Sequence, residues 1–240
     1  RVESGVRFLG ASHGLLPEEW LERYASLKDL GRVQGDRLRF APSQAVILEA
    51  LLAAEPALDV DETFDRVRRK LGDFRGIGPV EAPAGFVGTL RGYQKDGLGW
   101  IQFLADFHFG GCLADDMGLG KTIQVLARIE ERRTRPATPE EPRLPSLVVV
   151  PRSLVHNWIM EAARFPPRLR VLDYPGLDRA GLLERFAEHD LVVTTYGTVR
   201  RDILKLREMF FDYAILDEAQ AIKNAGSLAA KASRLLRARH

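Results

Sequence analysis

A single cysteine, Cys112, stands in the 240 residues, so no disulfide can form within the chain. No stretch approaches the roughly 18 uninterrupted apolar residues of a membrane-spanning helix. No basic, apolar, small-residue start marks a secretory leader, and a reducing cytoplasmic compartment is the expected home. Charge of one sign is also lacking. The net charge of +2, from 35 basic and 33 acidic side chains, is too small to argue for nucleic acid alone. The five histidines (13, 108, 156, 189 and 240) have no zinc or iron spacing with Cys112, which reads as a core residue. No nucleophile and base stand in an arrangement that supports acyl transfer. Internal repeats and low-complexity tracts are absent as well.

What is present is a folded composition, 45% hydrophobic and 28% charged, with length enough for one to two domains. Both ends read as cut. The chain starts on Arg1, and Lys231–His240 is an amphipathic pattern with no terminating Gly or Pro. Residues 1–85 read as a mainly helical accessory segment plus linker. Pro17 opens a helix to Leu27, Ser43 caps Ala45–Leu52, and Asp61 precedes an apolar stripe of Phe64, Val67 and Leu71. The Gly- and Pro-rich run from Gly72 to Gly85 punctuates the chain as a linker does.

Residues 86–240 alternate short apolar runs with helical patterns, which predicts an α/β domain whose parallel sheet is covered on both faces. The predicted strands are Gly111–Ala114, Leu147–Val150, Arg170–Asp173, Leu191–Thr194 and Tyr213–Leu216. The predicted helices cover about 92–107, 121–133, 153–164, 179–188, 198–209 and 226–238. Between them, Thr134–Pro145 has a Pro at nearly every third position and reads as a surface loop, with a Pro-rich protein ligand as the lesser reading. Arg132, Arg133 and Arg135 read as a solvated helix end, with DNA contact as the lesser reading.

The octet Asp115-Asp116-Met117-Gly118-Leu119-Gly120-Lys121-Thr122 follows an apolar run and opens a helix. Its glycines let the backbone amides turn toward phosphate oxygens, Lys121 adds a point charge, and Thr122 presents a hydroxyl to magnesium. Asp115 stands where the strict phosphate-loop pattern has Gly. Downstream, Phe211–Leu216 is an apolar run ending in Asp217 and Glu218. Asp217 suits a magnesium ligand and Glu218 a group that polarises the attacking water. Together the two motifs predict a nucleoside triphosphate bound with Mg2+.

These segments, with Leu90–Trp100, Pro151–Trp158 and Asp217–Asn224, together resemble the Swi/Snf family of superfamily-two helicase-like DNA translocases, in its bacterial form. The resemblance implies a first RecA-like P-loop lobe over 86–240, and an ATP-dependent double-stranded-DNA translocase or remodelling motor. In that family Asp is normal at the position of Asp115. A second RecA-like lobe carries the arginine finger, so this fragment is expected to be nearly inactive alone. Gln94 matches the glutamine that reads adenine in the family; by itself it reads as a surface amide. Tyr93 and Arg91 are candidates to flank the base, while Trp100 and Phe103 read as core.

Arg152 and Ser153 match the motif that faces the DNA backbone, and Ser153 reads equally as a helix N-cap. Thr195 is a second candidate backbone contact. Trp158 reads as core ahead of a base-stacking platform, and Tyr196 as structural. Cytoplasmic, nucleoid-associated localisation and an unnamed nucleoprotein partner go with this reading. Two alternatives stay open: a nucleotide-responsive DNA-binding scaffold without translocation, and a true strand-separating helicase.

Overall fold

The computed structural model describes residues 4–7, 32–34, 37–40, 44, 48, 59–60, 65, 69–70, 72–139, 142–174 and 181–240. They fall into two compact units, one of residues 1–76 with 106–109 and one of 77–105 with 110–240.

In the first unit four short strands, β1 (Ser4–Arg7), β2 (Arg32–Gln34), β3 (Arg37–Phe40) and β4 (Asp59–Val60), form an antiparallel sheet in the order β2-β3-β1-β4. Val6 faces Leu38 on one side and Val60 on the other. The mainly helical reading contained no such sheet. Strands of two to four residues are too short for periodicity to separate from loop, although Arg37-Leu-Arg-Phe40 does alternate. Leu48 is helical and buried, and Asp65, Arg69 and Lys70 are helical. The expected helix at Pro17–Leu27, the cap residues Ser43 and Asp61, and the stripe of Phe64, Val67 and Leu71 lie outside the described residues.

The second unit is an α/β lobe built on a parallel sheet. Its strands β5 (Ser146–Val150), β6 (Val171–Asp173), β7 (Leu191–Thr195) and β8 (Ala214–Leu216) run parallel in the order β6-β7-β5-β8. Among the described residues five helices accompany them: α1 (Gly92–Asp106), α2 (Lys121–Thr134), α3 (Val155–Arg164), α4 (Tyr196–Leu206) and α5 (Leu228–Ser233). Every residue of β5 is buried, as a strand covered on both faces requires. Alternate residues point to opposite faces. Leu147, Val149 and Val192 pack with Tyr196, Val199 and Leu206 of α4, whereas Val148, Val150 and Val193 pack with Leu126 and Ile129 of α2 and Trp158 of α3.

The segment before α1 belongs to this lobe. Val80 donates its amide to the Lys95 carbonyl at 3.0 Å, and Val80 and Ala82 pack on Phe86, Leu90 and Leu98. A Cβ on Gly99 would lie 2.0 Å from the Gly78 carbonyl oxygen, so this close approach requires glycine.

Several sequence expectations change. Gly111–Ala114 joins no ladder among the described residues, and Cys112 is exposed, not core. Gly110 before this run, Gly111 opening it and two aspartates after it leave too little apolar chain to be buried. Trp100 and Phe103 are half-buried. From Gly181 the expected helix is a series of turns and a 3-10 turn at Phe186–Glu188. The last helix stops at Ser233, and the end of the chain lies beside the segment entering β8, with a parallel bridge from Phe211 to Ala238.

Arg132, Arg133 and Arg135 are not a solvated end. Arg132 makes two hydrogen bonds to the buried Asp212 at 2.9 and 3.0 Å, Arg133 pairs with Glu130 at 2.7 Å, and Arg135 pairs with Glu131. Asp212 lies 80 residues from Arg132, so no local pattern foretells the pair.

At the entry to β7, Asp190 accepts from the Arg170 amide at 3.0 Å and from its guanidinium at 3.1 and 3.0 Å. Burial pushes the Asp190 carboxyl up, but the Arg170 bonds and charge outweigh it and hold it below its ordinary value. A depressed carboxyl contributes stability above its unfolded pKa of about 3.9, and loses it as pH falls through the lower folded value. Asp190→Asn is therefore expected to cost about 1 kcal/mol at pH 7, a modest figure because Arg170 is largely exposed. In urea melts the difference from wild type should shrink below pH 4; a pH-independent difference would refute the assignment.

Candidate nucleotide and metal site

The loop between α1 and α2 is built on two glycines in the left-handed region, Gly118 at φ 84° and Gly120 at φ 75°. At Gly120 the requirement is double, since a Cβ there would also lie 2.6 Å from Gln94 Nε2. Gly120 supplies no side-chain cap to α2; the Ile123 amide bonds back to the Gly120 carbonyl at 3.1 Å, and the helix dipole favours an anion at the head of the helix. Lys121 is half-buried and donates its ammonium to the carbonyls of Asp115 at 2.6 Å and Asp116 at 3.0 Å. Asp116, Met117 and Gly118 are exposed along the loop, with Met117 the most open of the large apolar residues at 84%. Thr122 follows as the second residue of α2.

Gln94 is not the surface amide that its position alone suggested. It is 6% exposed, donates Nε2 to the Leu119 carbonyl at 3.0 Å and accepts the Arg91 amide at 2.9 Å. Tyr93 donates its hydroxyl to the same Leu119 carbonyl at 3.1 Å. The start of α1 thus grips the glycine loop directly. From the other side, Gln124 of α2, wholly buried, donates to Asp115 Oδ2 at 3.1 Å. Sequence reasoning passed over Gln124, whose only signal was its place two residues after Thr122.

Asp217 and Glu218 follow β8. Asp217 donates its amide to the Val149 carbonyl at 2.9 Å, and its carboxylate accepts from the Trp158 indole at 2.8 Å and the Glu218 amide at 2.9 Å. Glu218 is in the left-handed region at φ 50°, which turns the chain sharply away from the strand, and its carboxylate meets the Gln220 amide. The Tyr196 hydroxyl donates to the Asp217 carbonyl at 2.7 Å. Burial, then the charges of Asp217 and Glu218, push the Tyr196 phenol up to about 12, so it stays a donor at any physiological pH.

Two anchors orient α2 against β8. Arg128 donates to the Tyr213 hydroxyl at 2.8 Å, and Arg132, one turn on, holds Asp212. The helix therefore runs antiparallel to the strand. Going back from Arg128 to Lys121 covers about 10 Å, and going forward from Tyr213 to Asp217 about 13 Å. The head of α2 and the carboxylates after β8 consequently share one edge of the lobe. The same edge carries the ends of β5 and β7, because parallel strands present their carboxyl ends together.

Arg152 and Ser153 are exposed there, in a 3-10 turn directly after β5. Ser153 is not the N-cap of α3, which begins at Val155 with no side-chain cap. Thr195 is the N-cap of α4: its hydroxyl oxygen accepts the Thr198 amide at 3.2 Å, a role the sequence reading had not assigned. Trp158 is core, 2% exposed, yet it also spends its one donor on Asp217.

Among the described residues no cluster of three or more His, Cys, Asp or Glu side chains is arranged to hold a metal unaided. The hydroxyl of Thr122 and the carboxylate of Asp217 are hard oxygen donors, which fit a magnesium ion that completes its coordination with phosphates and water.

The SNF2-related domain family matches residues 93–240. The chain is 37% identical over 171 residues to the TATA-binding protein-associated factor MOT1 of Saccharomyces cerevisiae, covering 68% of this chain and 9% of that protein. It is 36% identical over 148 residues to an "Uncharacterized ATP-dependent helicase" of Mycoplasma pneumoniae, covering 61% and 14%. The Sulfolobus solfataricus SWI2/SNF2 ATPase core in complex with dsDNA superposes with a TM-score of 0.59 at 36% identity, over 69% of this chain and 33% of that one. The chain thus spans a small part of the curated relatives it matches and a third of that solved core. With a glycine loop at a helix head and a carboxylate pair on one edge of a parallel sheet, and with these matches, the chain belongs to the SNF2-related family and carries a RecA-like lobe of its ATPase core.

Proposed function

We propose that this chain is the ATP-binding lobe of a motor that hydrolyses ATP to move along double-stranded DNA. The observation that carries the reading is the shared edge, where the head of α2 and Asp217–Glu218 lie with the loops after β5 and β7. An ATP site and a backbone-facing surface on one edge can influence each other through a few residues. The similarity to a core solved with dsDNA supports the same assignment.

In this reading the amides of Gly118 to Thr122 and the Lys121 ammonium hold the phosphates, and Gln94 and Tyr93 fix the loop's shape beside the base. Thr122 and Asp217 would hold Mg2+, which when bound neutralises the charge on the phosphates. Glu218 orients and polarises the water that attacks the γ-phosphorus. Arg152, Ser153 and Thr195 contact DNA phosphates, which position a protein without reading sequence. A second RecA-like lobe of the full-length protein supplies the arginine finger, and the protein works in the cytoplasm at the nucleoid.

The test compares this chain with a protein carrying both lobes. The 240-residue chain is expected to bind ATP weakly and to show negligible duplex-stimulated hydrolysis. The two-lobe protein is expected to show strong stimulation and to displace a triplex-forming strand from duplex without separating the duplex. Robust stimulation of the single lobe would overturn the division of labour, and duplex unwinding by the two-lobe protein would make it a strand-separating helicase.

A further inference from the structure

Asp217 is gripped from two helices that each follow a candidate DNA loop. Trp158 lies on α3, behind Arg152–Ser153, and donates to the carboxylate at 2.8 Å. Tyr196 opens α4, directly after Thr195, and donates to the backbone carbonyl at 2.7 Å. The Val149 carbonyl holds the amide from the neighbouring strand at 2.9 Å. We infer that Trp158 and Tyr196 are positioning residues that aim the Asp217 carboxylate and make its aim depend on where the loops after β5 and β7 sit.

The physical case rests on the donors being single and buried. An indole has one N–H and no acceptor, so Trp158 can serve only a group that accepts. It is 2% exposed, and in the hydrophobic cluster with Val148, Val150 and Ala162 its ring cannot turn without disturbing the packing. The ring therefore fixes Oδ2 at one place. Oδ1 is held by the Glu218 amide at 2.9 Å, so the carboxylate plane is set from both ends while a lone pair on each oxygen stays available. Tyr196, 9% exposed, fixes the peptide that carries the carboxylate. A shift of α3 or α4, caused by a phosphate engaging the turn at either head, is transmitted to Asp217 through one hydrogen bond each.

This inference rests on reading Asp217 as the metal-holding carboxylate, and the experiment separates the two. A fluorescent ATP analogue is titrated into the 240-residue chain in EDTA and over a Mg2+ series, for wild type, Trp158→Phe, Tyr196→Phe and the control Asp190→Asn. The control loosens the pair with Arg170 at the entry to β7, at the end of the sheet opposite the edge that carries Asp217. Trp158→Phe is expected to raise the half-saturating Mg2+ concentration about 3- to 10-fold, Tyr196→Phe to raise it less, and neither to change metal-free affinity more than about twofold; the control should alter neither. A Mg2+ midpoint for Trp158→Phe equal to wild type overturns the inference, as does an equal loss of metal-free affinity, which marks a merely structural role. Wild type that binds nucleotide without any Mg2+ dependence overturns the metal reading of Asp217 and the inference with it. Repeating the series with a 20-base-pair duplex tests the link to the loops: the duplex should lower the wild-type midpoint several-fold and leave the midpoint of a double variant, Trp158→Phe with Tyr196→Phe, unmoved. A duplex effect that persists in the double variant, or one absent from wild type while anisotropy shows the duplex bound, overturns the link.

Discussion

Lys121→Ala is expected to weaken binding of ATP by about 100-fold or more, to the point of no measurable saturation. Lys121 stands at the first position of α2, where its ammonium reinforces the positive end of the helix. Its present partners are the carbonyls of Asp115 and Asp116, neutral acceptors that a triphosphate outcompetes as an anion. A charge-assisted contact of this kind is worth up to about 3 kcal/mol, and two phosphates share it. The side chain is half-buried at the surface of an exposed loop, so its truncation leaves the fold intact, as circular dichroism and the melting temperature should show. Equal affinity of wild type and variant would contradict the phosphate-loop assignment.

Glu218→Gln, in a protein that carries both lobes, is expected to keep ATP binding and lower the hydrolysis rate by about 10²- to 10⁴-fold, the range of a positioned acid or base. The substitution keeps the shape of the side chain, leaves the 218 amide bonded to Asp217 Oδ1, and asks nothing new of the backbone at φ 50°. It removes only the carboxylate's capacity to draw a proton from water. Single-turnover hydrolysis with the binding isotherm beside it separates the two steps. A rate within a few-fold of wild type would remove Glu218 from the chemistry and leave Asp217 as the one working carboxylate of the pair.

The site's composition was readable because each of its parts is a local pattern. Gly118, Gly120, Lys121 and Thr122 stand within five residues, and the apolar run before Asp217 announces the end of a strand. The buried strands were equally plain, since Leu147–Val150 and Leu191–Thr194 are continuous apolar runs and the observed β5 and β7 differ from them by one residue each. The first unit was not readable. Its strands are two to four residues long, and their pairing across Ser4↔Phe40 and Val6↔Val60 depends on long-range closure and not on any period.

The chain's order of amino acids was enough to indicate the parallel architecture, the glycine loop at the head of α2 and the carboxylate pair after β8, because glycine conformation, helix capping and burial act over a few neighbouring residues. It was not enough to say which partners those groups hold. Gln94 turns into the protein to grip Leu119, Arg132 leaves solvent for Asp212, Thr195 caps α4, and Trp158 spends its indole N–H on a carboxylate 59 residues away. These are meetings between elements, set by how helices lie on a sheet, and a buried donor takes whatever acceptor that packing brings within about 3 Å.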